Sequence, residues 1–277
     1  MNSIIPWVGG KNYLKKTIAN YIPKDIMTYV EPFGGAGWVL LYKDKWAETE
    51  VYNDLDERLV NMFRTIKNYP EELAKELGDY PIDKDTFHYF LAYSGETDIE
   101  KAARFIYVQT LSYGAKAETY IPFHNGSKDF QNKCRQLISL SKRLSDVIIE
   151  NESYEVIIDK YDNENTFFYC DPPYSRGVKY NVARDFNHQL LKKILDKINC
   201  RFLLSYNDNS EIRELYKDYD IVTFERHNNL IKINKTDKRS PYKELLIGNY
   251  DLEAIKNISN QMRIKGQFYE SVAIEIK

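Results

Sequence analysis

Residues 167–174 read FFYCDPPY. The last four place a carboxylate, two rigid proline rings and a phenol at one point of the chain. A carboxylate accepts hydrogen bonds from N–H groups, and a phenol ring offers a flat face for stacking. Thr166 to Cys170 is a short apolar, aromatic run of the kind that forms a strand buried on both faces. Pro172 and Pro173 have no N–H to extend a ladder, so the strand must end there. Asp171 is thus expected at the carboxyl end of a central strand, the edge where open α/β sheets bind ligands. Tyr174 should be held on a stiff corner just beyond. An ordinary Asp-Pro-Pro turn followed by a surface tyrosine fits the same four residues.

A second group lies near the start of the chain. EPFGGAG at 31–37 closes an expected strand, and Gly35 and Gly37 permit close backbone approach to a ligand, with the N-terminus of a following helix beside it. Asp54 ends the next strand, about 20 residues on, the distance at which an acid hydrogen-bonds ribose hydroxyls in nucleotide-binding folds. The loop is FxGxG, not GxGxxG, which favours an adenosine-bearing ligand other than a dinucleotide, and no Walker phosphate loop is present. A glycine turn with a capping aspartate is the alternative. PWVGGK at 6–11 precedes any core strand. Lys11 is expected to open a helix, where a cation opposes the macrodipole unless an anionic partner is near; an unstructured end with an exposed Trp7 is the other reading.

The elements that must position these residues alternate. Helix Lys11–Tyr21, strand Met27–Glu31, a short helix after the glycines, strand Glu50–Asn53 and helix Leu55–Asn68 come first. Strands Val147–Glu150, Thr166–Cys170, Arg201–Ser205, Asp220–Phe224 and Lys243–Asn249, with helices Asn187–Ile198 and Ser210–Tyr216, come last. This alternation predicts an α/β fold with a mostly parallel sheet. Between them, helical patterns at Glu71–Leu77, Lys84–Tyr93, Asp98–Leu111 and Phe130–Leu144 surround a Gly- and Tyr-rich hairpin or loop. The reading is a helical insertion, residues 69–144, in an α/β domain made of 1–68 and 145–277.

With 43% apolar residues the chain can build a substantial core, yet it has no window of about 18 uncharged apolar residues, so no membrane span is expected. The start is too polar for a secretory signal. Cys134, Cys170 and Cys200 are scattered, as are the histidines, which argues for a reducing cytoplasm and against a zinc site. Net charge is −2, but basic residues cluster. Lys116, Lys128, Lys133, Arg135, Lys142 and Arg143 face only Glu118 and Asp129. Arg226, Lys232, Lys235, Lys238, Arg239 and Lys243 surround Asp237. Either these stretches form a charged face for a polyanion or they are a solvated helix and loop.

Together, PWVGGK, VEPFGGAG, YND at 52–54, FFYCDPPY and KELLIGNY at 243–250 resemble the Dam-like, α-group DNA adenine-N6 methyltransferases. The motif order matches as well, and the resemblance runs from Pro6 to Tyr250. It implies a Rossmann-like class I S-adenosylmethionine-dependent methyltransferase sheet with an inserted target-recognition domain. It also implies S-adenosylmethionine bound without metal by Trp7, Lys11, Asp54 and Asp171, with Phe33, Gly35 and Gly37 around the methionine moiety. Asp171, Pro172 and Tyr174 become the catalytic set. Adenine's exocyclic amine is a poor nucleophile because its lone pair is delocalised; the Asp171 carboxylate and Pro172 carbonyl would hold its N–H groups while Tyr174 stacks on the flipped base. Double-stranded DNA is the implied partner, with a restriction endonuclease as a companion in some members. Candidate DNA contacts are Tyr113, Lys116, Glu118, Lys128, Arg135, Lys235, Lys238 and Arg239. Lys116 suits guanine and Glu118 suits cytosine N4, or both are solvent-facing hairpin charges. The best-known members carry an arginine in a longer recognition hairpin; Tyr113–Phe123 has none, so the target GATC is not implied. The rival readings are RNA or protein amide methyltransferases, which usually carry Asn at the first position of DPPY and lack the PWVGGK start, and cytosine-N4 enzymes, where Ser is typical at that position. A non-catalytic DNA binder would not need the intact cofactor positions.

Overall fold

The computed structural model describes residues 1–121, 127–174, 186–226 and 242–261. The chain divides into two units, Met1–Lys15 with Thr28–Ile157, and Lys16–Met27 with Ile158–Lys277.

In the first unit β1 (Thr28–Glu31), β2 (Thr49–Asn53) and β3 (Val147–Glu150) run parallel with β2 in the middle. Val51 sits opposite Val30 on one side and Ile148 on the other. β2 is buried from Glu50 to Asn53, as a strand covered on both faces should be. Its one buried acid, Glu50, is answered by Arg143, whose Nη1 and Nη2 donate to the two carboxylate oxygens at 2.8 and 2.7 Å.

Helices α2 (Glu57–Asn68), α3 (Pro70–Asp79), α4 (Lys84–Ala92), α5 (Asp98–Thr110) and α6 (Ser127–Leu144) complete this unit. Their starts follow local chemistry. The Asp56 side chain caps α2, Pro70 stands in the first turn of α3, and Asp83 caps α4. Thr97 and Glu100 form a reciprocal capping box on α5, which satisfies two donors the helix itself leaves open. α5 then buries Ala102, Ala103, Phe105 and Ile106 and packs on α2 and α3. The four helices expected between residues 71 and 144 are all present.

The second unit holds β4 (Thr166–Cys170) and β5 (Arg201–Asn207) in parallel, then β7 (Tyr242–Gly248) antiparallel to β5 and to β6 (Asp220–Arg226). All five residues of β4 are buried, as the apolar run required. α8 (His188–Leu195) and α9 (Ser210–Leu215) are each capped by an asparagine, Asn187 and Asn209. Both units are α/β in class.

Three elements differ from the sequence reading. The first helix, expected over Lys11–Tyr21, shrinks to α1 (Lys15–Ala19); Lys11 to Leu14 form turns, with the Lys11 ammonium folded back on the Gly9 carbonyl. The helix expected after the glycines is a 3₁₀ turn, Leu40–Tyr42. Its carbonyls have other partners: the Trp46 indole N–H meets those of Val39 and Leu40, and the Arg143 guanidinium meets those of Leu40 and Lys43. No full helix N-terminus therefore follows the glycine loop. Finally, α7 (Tyr154–Tyr161) was not anticipated. Its signal was Ser153, whose carbonyl accepts the first helical bond from Ile157, ahead of the apolar pair Ile157–Ile158.

Candidate active site

In the first unit the two glycine motifs meet. Gly35 carries φ +51°, and a Cβ there would stand 3.3 Å from the Trp7 ring. Trp7 and the 33–37 loop are therefore in contact, a distance of sequence that no local pattern reveals. The Gly35 N–H donates to Asp54 Oδ2 at 2.8 Å, and the Tyr52 hydroxyl donates to the Gly35 carbonyl at 2.7 Å. Gly34, which the motif reading passed over, is the more constrained glycine: a Cβ would fall 2.2 Å from the Tyr52 ring. Gly37, at φ +68°, would press a Cβ on Phe63 at 3.0 Å. The Phe33 ring lies 5.1 Å from that of Tyr154.

Asp54 is half-buried at the end of β2. Oδ1 accepts the Asp56 N–H at 2.8 Å, as Oδ2 accepts that of Gly35. Burial pushes its carboxyl up to about 6, against the pull of those N–H groups. An ionised carboxylate has about four acceptor sites, so the two oxygens retain capacity for hydroxyl donors. Asn53, also unremarked in the sequence, holds this corner. Its amide donates to the carbonyls of Pro32 and Glu152 and accepts the Glu152 N–H, while Asn151 donates to the Asp54 carbonyl. The carboxyl ends of the three strands are thus tied together around the acid. Gly10 is glycine because a Cβ would stand 2.5 Å from the Trp38 indole nitrogen. Lys11 is buried, and its ammonium donates to the Gly9 carbonyl at 3.0 Å.

In the second unit the DPPY corner has partners that the motif did not name. Asp171 Oδ1 accepts from the Tyr174 hydroxyl and from the Ser205 hydroxyl, each at 2.9 Å. Ser205 is fully buried on β5 and also meets the Tyr169 hydroxyl at 3.1 Å. The Tyr174 ring lies 5.6 Å from that of Tyr206, whose hydroxyl meets His188 Nδ1 at 2.6 Å. Burial, followed by the Asp171 charge, raises the Tyr174 phenol well above its ordinary value, so it stays a hydrogen-bond donor. Pro172 is buried and Asp171 half-buried. The order of residues around the carboxylate depends on the register of β4 against β5, which pairs Cys170 with Leu204.

The candidate DNA contacts divide. Tyr113, Lys116 and Glu118 are exposed on a loop after α5, closed by an antiparallel bridge between Ser112 and Tyr120. Ala115 and Ala117 there adopt φ of +58° and +53°, a conformation that L-residues with a Cβ rarely take. Arg135 is exposed on α6. Lys128 lies in α6 with its side chain outside the described atoms, and Lys235, Lys238 and Arg239 lie outside the described residues. The basic stretch from Lys116 to Arg143 is less of a surface than its composition suggested. Arg143 is buried against Glu50, and the Lys133 ammonium donates to the Ile4 carbonyl, its pKa lowered to about 8 by burial.

The first unit thus holds a glycine turn against a tryptophan with an acid at the end of the neighbouring strand, and the second holds a hydrogen-bonded Asp-Pro-Pro-Tyr corner. The model of the D12 class N6 adenine-specific DNA methyltransferase family matches residues 7–230. The chain belongs to this family and is an adenine-specific DNA methyltransferase. It is 24% identical over 237 residues to the Type II methyltransferase M.CviBI of Paramecium bursaria Chlorella virus NC1A, covering 82% of this chain and 90% of that one. It is 29% identical over 290 residues to the Type II methyltransferase M.MjaIII of Methanocaldococcus jannaschii, covering 89% and 98%. The Type II methyltransferase M1.LlaDCHI of Lactococcus lactis subsp. cremoris is 24% identical over 273 residues, covering 88% and 94%. No helix among the described residues is long and apolar enough to cross a membrane.

Proposed function

We propose that the protein transfers a methyl group from S-adenosylmethionine to the N6 amine of an adenine swung out of double-stranded DNA. The observation that carries this reading is the Asp171 carboxylate. It stands at the end of a fully buried strand, held on Oδ1 by Ser205 and Tyr174. Two hydroxyl donors on one oxygen fix the carboxylate plane and so set the direction from which it would accept an amine N–H. The Pro172 carbonyl supplies a second acceptor. With both N–H groups engaged, the nitrogen lone pair leaves conjugation with the ring more readily. The Tyr174 ring, fixed at its hydroxyl, offers a face for the displaced base.

S-adenosylmethionine, when bound, supplies the electrophilic methyl. The chain's own residues fit it in the first unit. Asp54 keeps acceptor capacity for ribose hydroxyls, Gly35 and Gly37 open the backbone, Phe33 and Trp7 offer apolar walls, and Lys11 brings a cation for the carboxylate end. Asp171 serves the cofactor as well as the base on this reading. Residues 1–68 and 145–277 form the catalytic part and 69–144 the target-recognition part, with Tyr113, Lys116, Glu118, Lys128 and Arg135 toward DNA and Lys235, Lys238 and Arg239 on the backbone phosphates. The likeness to Type II methyltransferases supports a cytoplasmic modification enzyme with a cognate restriction endonuclease. The test is to express the chain in cells and sequence their DNA with detection of modified bases. One recurrent motif carrying N6-methyladenine is expected, lost in Asp171→Ala. DNA with no modified adenine, from cells holding folded wild-type protein, would refute the reading.

A further inference from the structure

A hollow of about 190 Å³ is lined by Arg58, Leu91, Arg104, Phe105, Val108, Gln109 and Ala117. It gathers α2, α4, α5 and the 112–120 loop around two guanidinium groups. Arg58 is held by Asp56 through Nε and Nη2 at 2.9 and 2.6 Å and lies over the Phe105 ring. Arg104 donates through Nε to the Phe90 carbonyl. Its two terminal nitrogens have no partner among the described residues. Burial first, and then the Arg58 charge, lowers the Arg104 pKa. Gln109, 3% exposed, lines the same hollow, and its Oε1 has no hydrogen-bond partner. A buried carbonyl oxygen without a partner carries a desolvation cost, and the same amide carries an NH₂ that can donate.

We propose that this hollow takes one phosphate of the DNA backbone. Arg104 offers a planar pair of N–H donors suited to phosphate oxygens, and the Gln109 amide supplies another. The apolar wall of Leu91, Phe105 and Val108 lowers the local dielectric and strengthens the contact. The roof argues for nucleic acid over a free anion. Ala117, in the left-handed conformation, belongs to the loop that exposes Tyr113, Lys116 and Glu118. A phosphate seated here lies against the loop whose side chains would meet the bases, and it sets the register of that loop on the duplex. The proposal rests on the DNA-methyltransferase reading.

The test compares duplex binding by fluorescence anisotropy between 50 and 200 mM salt for wild type, Gln109→Glu and Arg104→Gln. The first substitution fills the hollow with a carboxylate that pairs with the arginines. The second removes one charge while keeping an amide for the Phe90 carbonyl. Their structural effects are opposite, yet both should flatten the salt slope by about 0.9 and weaken binding roughly tenfold at the lower salt. Affinity for S-adenosylmethionine, read by calorimetry, should remain within about twofold of wild type. Unchanged slopes in both folded variants would overturn the proposal. So would a loss confined to S-adenosylmethionine affinity, which would make the hollow part of the cofactor site. A rise in melting temperature with millimolar inorganic phosphate, seen only in wild type and with unchanged DNA slopes, would make it a free-anion site. If wild type itself neither binds nor methylates DNA, the wider reading fails instead.

Discussion

Ser205→Ala isolates the tether on the DPPY carboxylate. Ser205 is fully buried, donates to Asp171 Oδ1 at 2.9 Å and meets the Tyr169 hydroxyl at 3.1 Å. Removing it deletes one of two hydroxyl bonds to a charged acceptor, a contribution of about 1.5–3 kcal/mol. If that energy is felt in the transition state, the methyl-transfer rate falls roughly 10- to 100-fold. The same change removes one partner of the Tyr169 hydroxyl, on a residue 2% exposed, and should lower stability by about 0.5–1.5 kcal/mol. The two effects are read separately, one as the transfer rate and the other as the unfolding free energy. Tyr174→Phe removes the other tether and keeps the ring, so its loss should match that of Ser205→Ala. The double variant should lose less than the product, because both donors serve one oxygen. The assay is single-turnover transfer of a labelled methyl group to duplex DNA, with urea unfolding in parallel. A folded Ser205→Ala protein within twofold of the wild-type rate would show that the carboxylate needs no hydroxyl to orient it.

Three further outcomes follow from the geometry. The Asp54 carboxyl, raised to about 6 from its ordinary 3.8, contributes stability that is present below 3.8 and lost as pH rises through 6. The difference in unfolding free energy between wild type and Asp54→Asn should therefore move toward the variant between about pH 4 and 6, by at most about 1.4 kcal/mol per pH unit, and level off above; a pH-independent difference counts against it. Arg143→Met leaves Glu50, 3% exposed, as a buried unpaired charge and should lower stability by about 3–5 kcal/mol, measured by urea denaturation, with a loss under 1 kcal/mol as the contrary result. Charge reversal at Lys235, Lys238 and Arg239 should flatten the salt dependence of DNA binding for every sequence tested, whereas changes at Lys116 or Glu118 should alter which adenine is methylated.

Most elements and motifs were legible in the sequence where the cause is local, though α7 behind Ser153 was not read. A β4 buried on both faces shows as an unbroken apolar run, and prolines end it because they lack an N–H. Helices α2, α4 and α5 announce themselves through Asp56, Asp83 and the Thr97–Glu100 box, since a cap acts within one turn. Trp7, Gly35, Asp54 and the DPPY corner could be picked out by residue type and spacing. What remained hidden depends on chain segments distant in sequence. The expected helix after the glycines gave way to a 3₁₀ turn because Trp46 and Arg143 draw away its carbonyls, and Arg143 comes from a helix about 100 residues on. Arg143 and Lys133 looked like surface charge until packing turned both inward, which composition cannot register. Ser205 reaches Asp171 only through the register of β5 on β4, and a one-residue slip would point it to the other face. The hollow that joins Arg58 to Arg104 and Gln109 exists only because α2 and α5 pack side by side. Local chemistry determined which elements form and where they stop; the pairing of strands and the crossing of helices decided which side chains share a site.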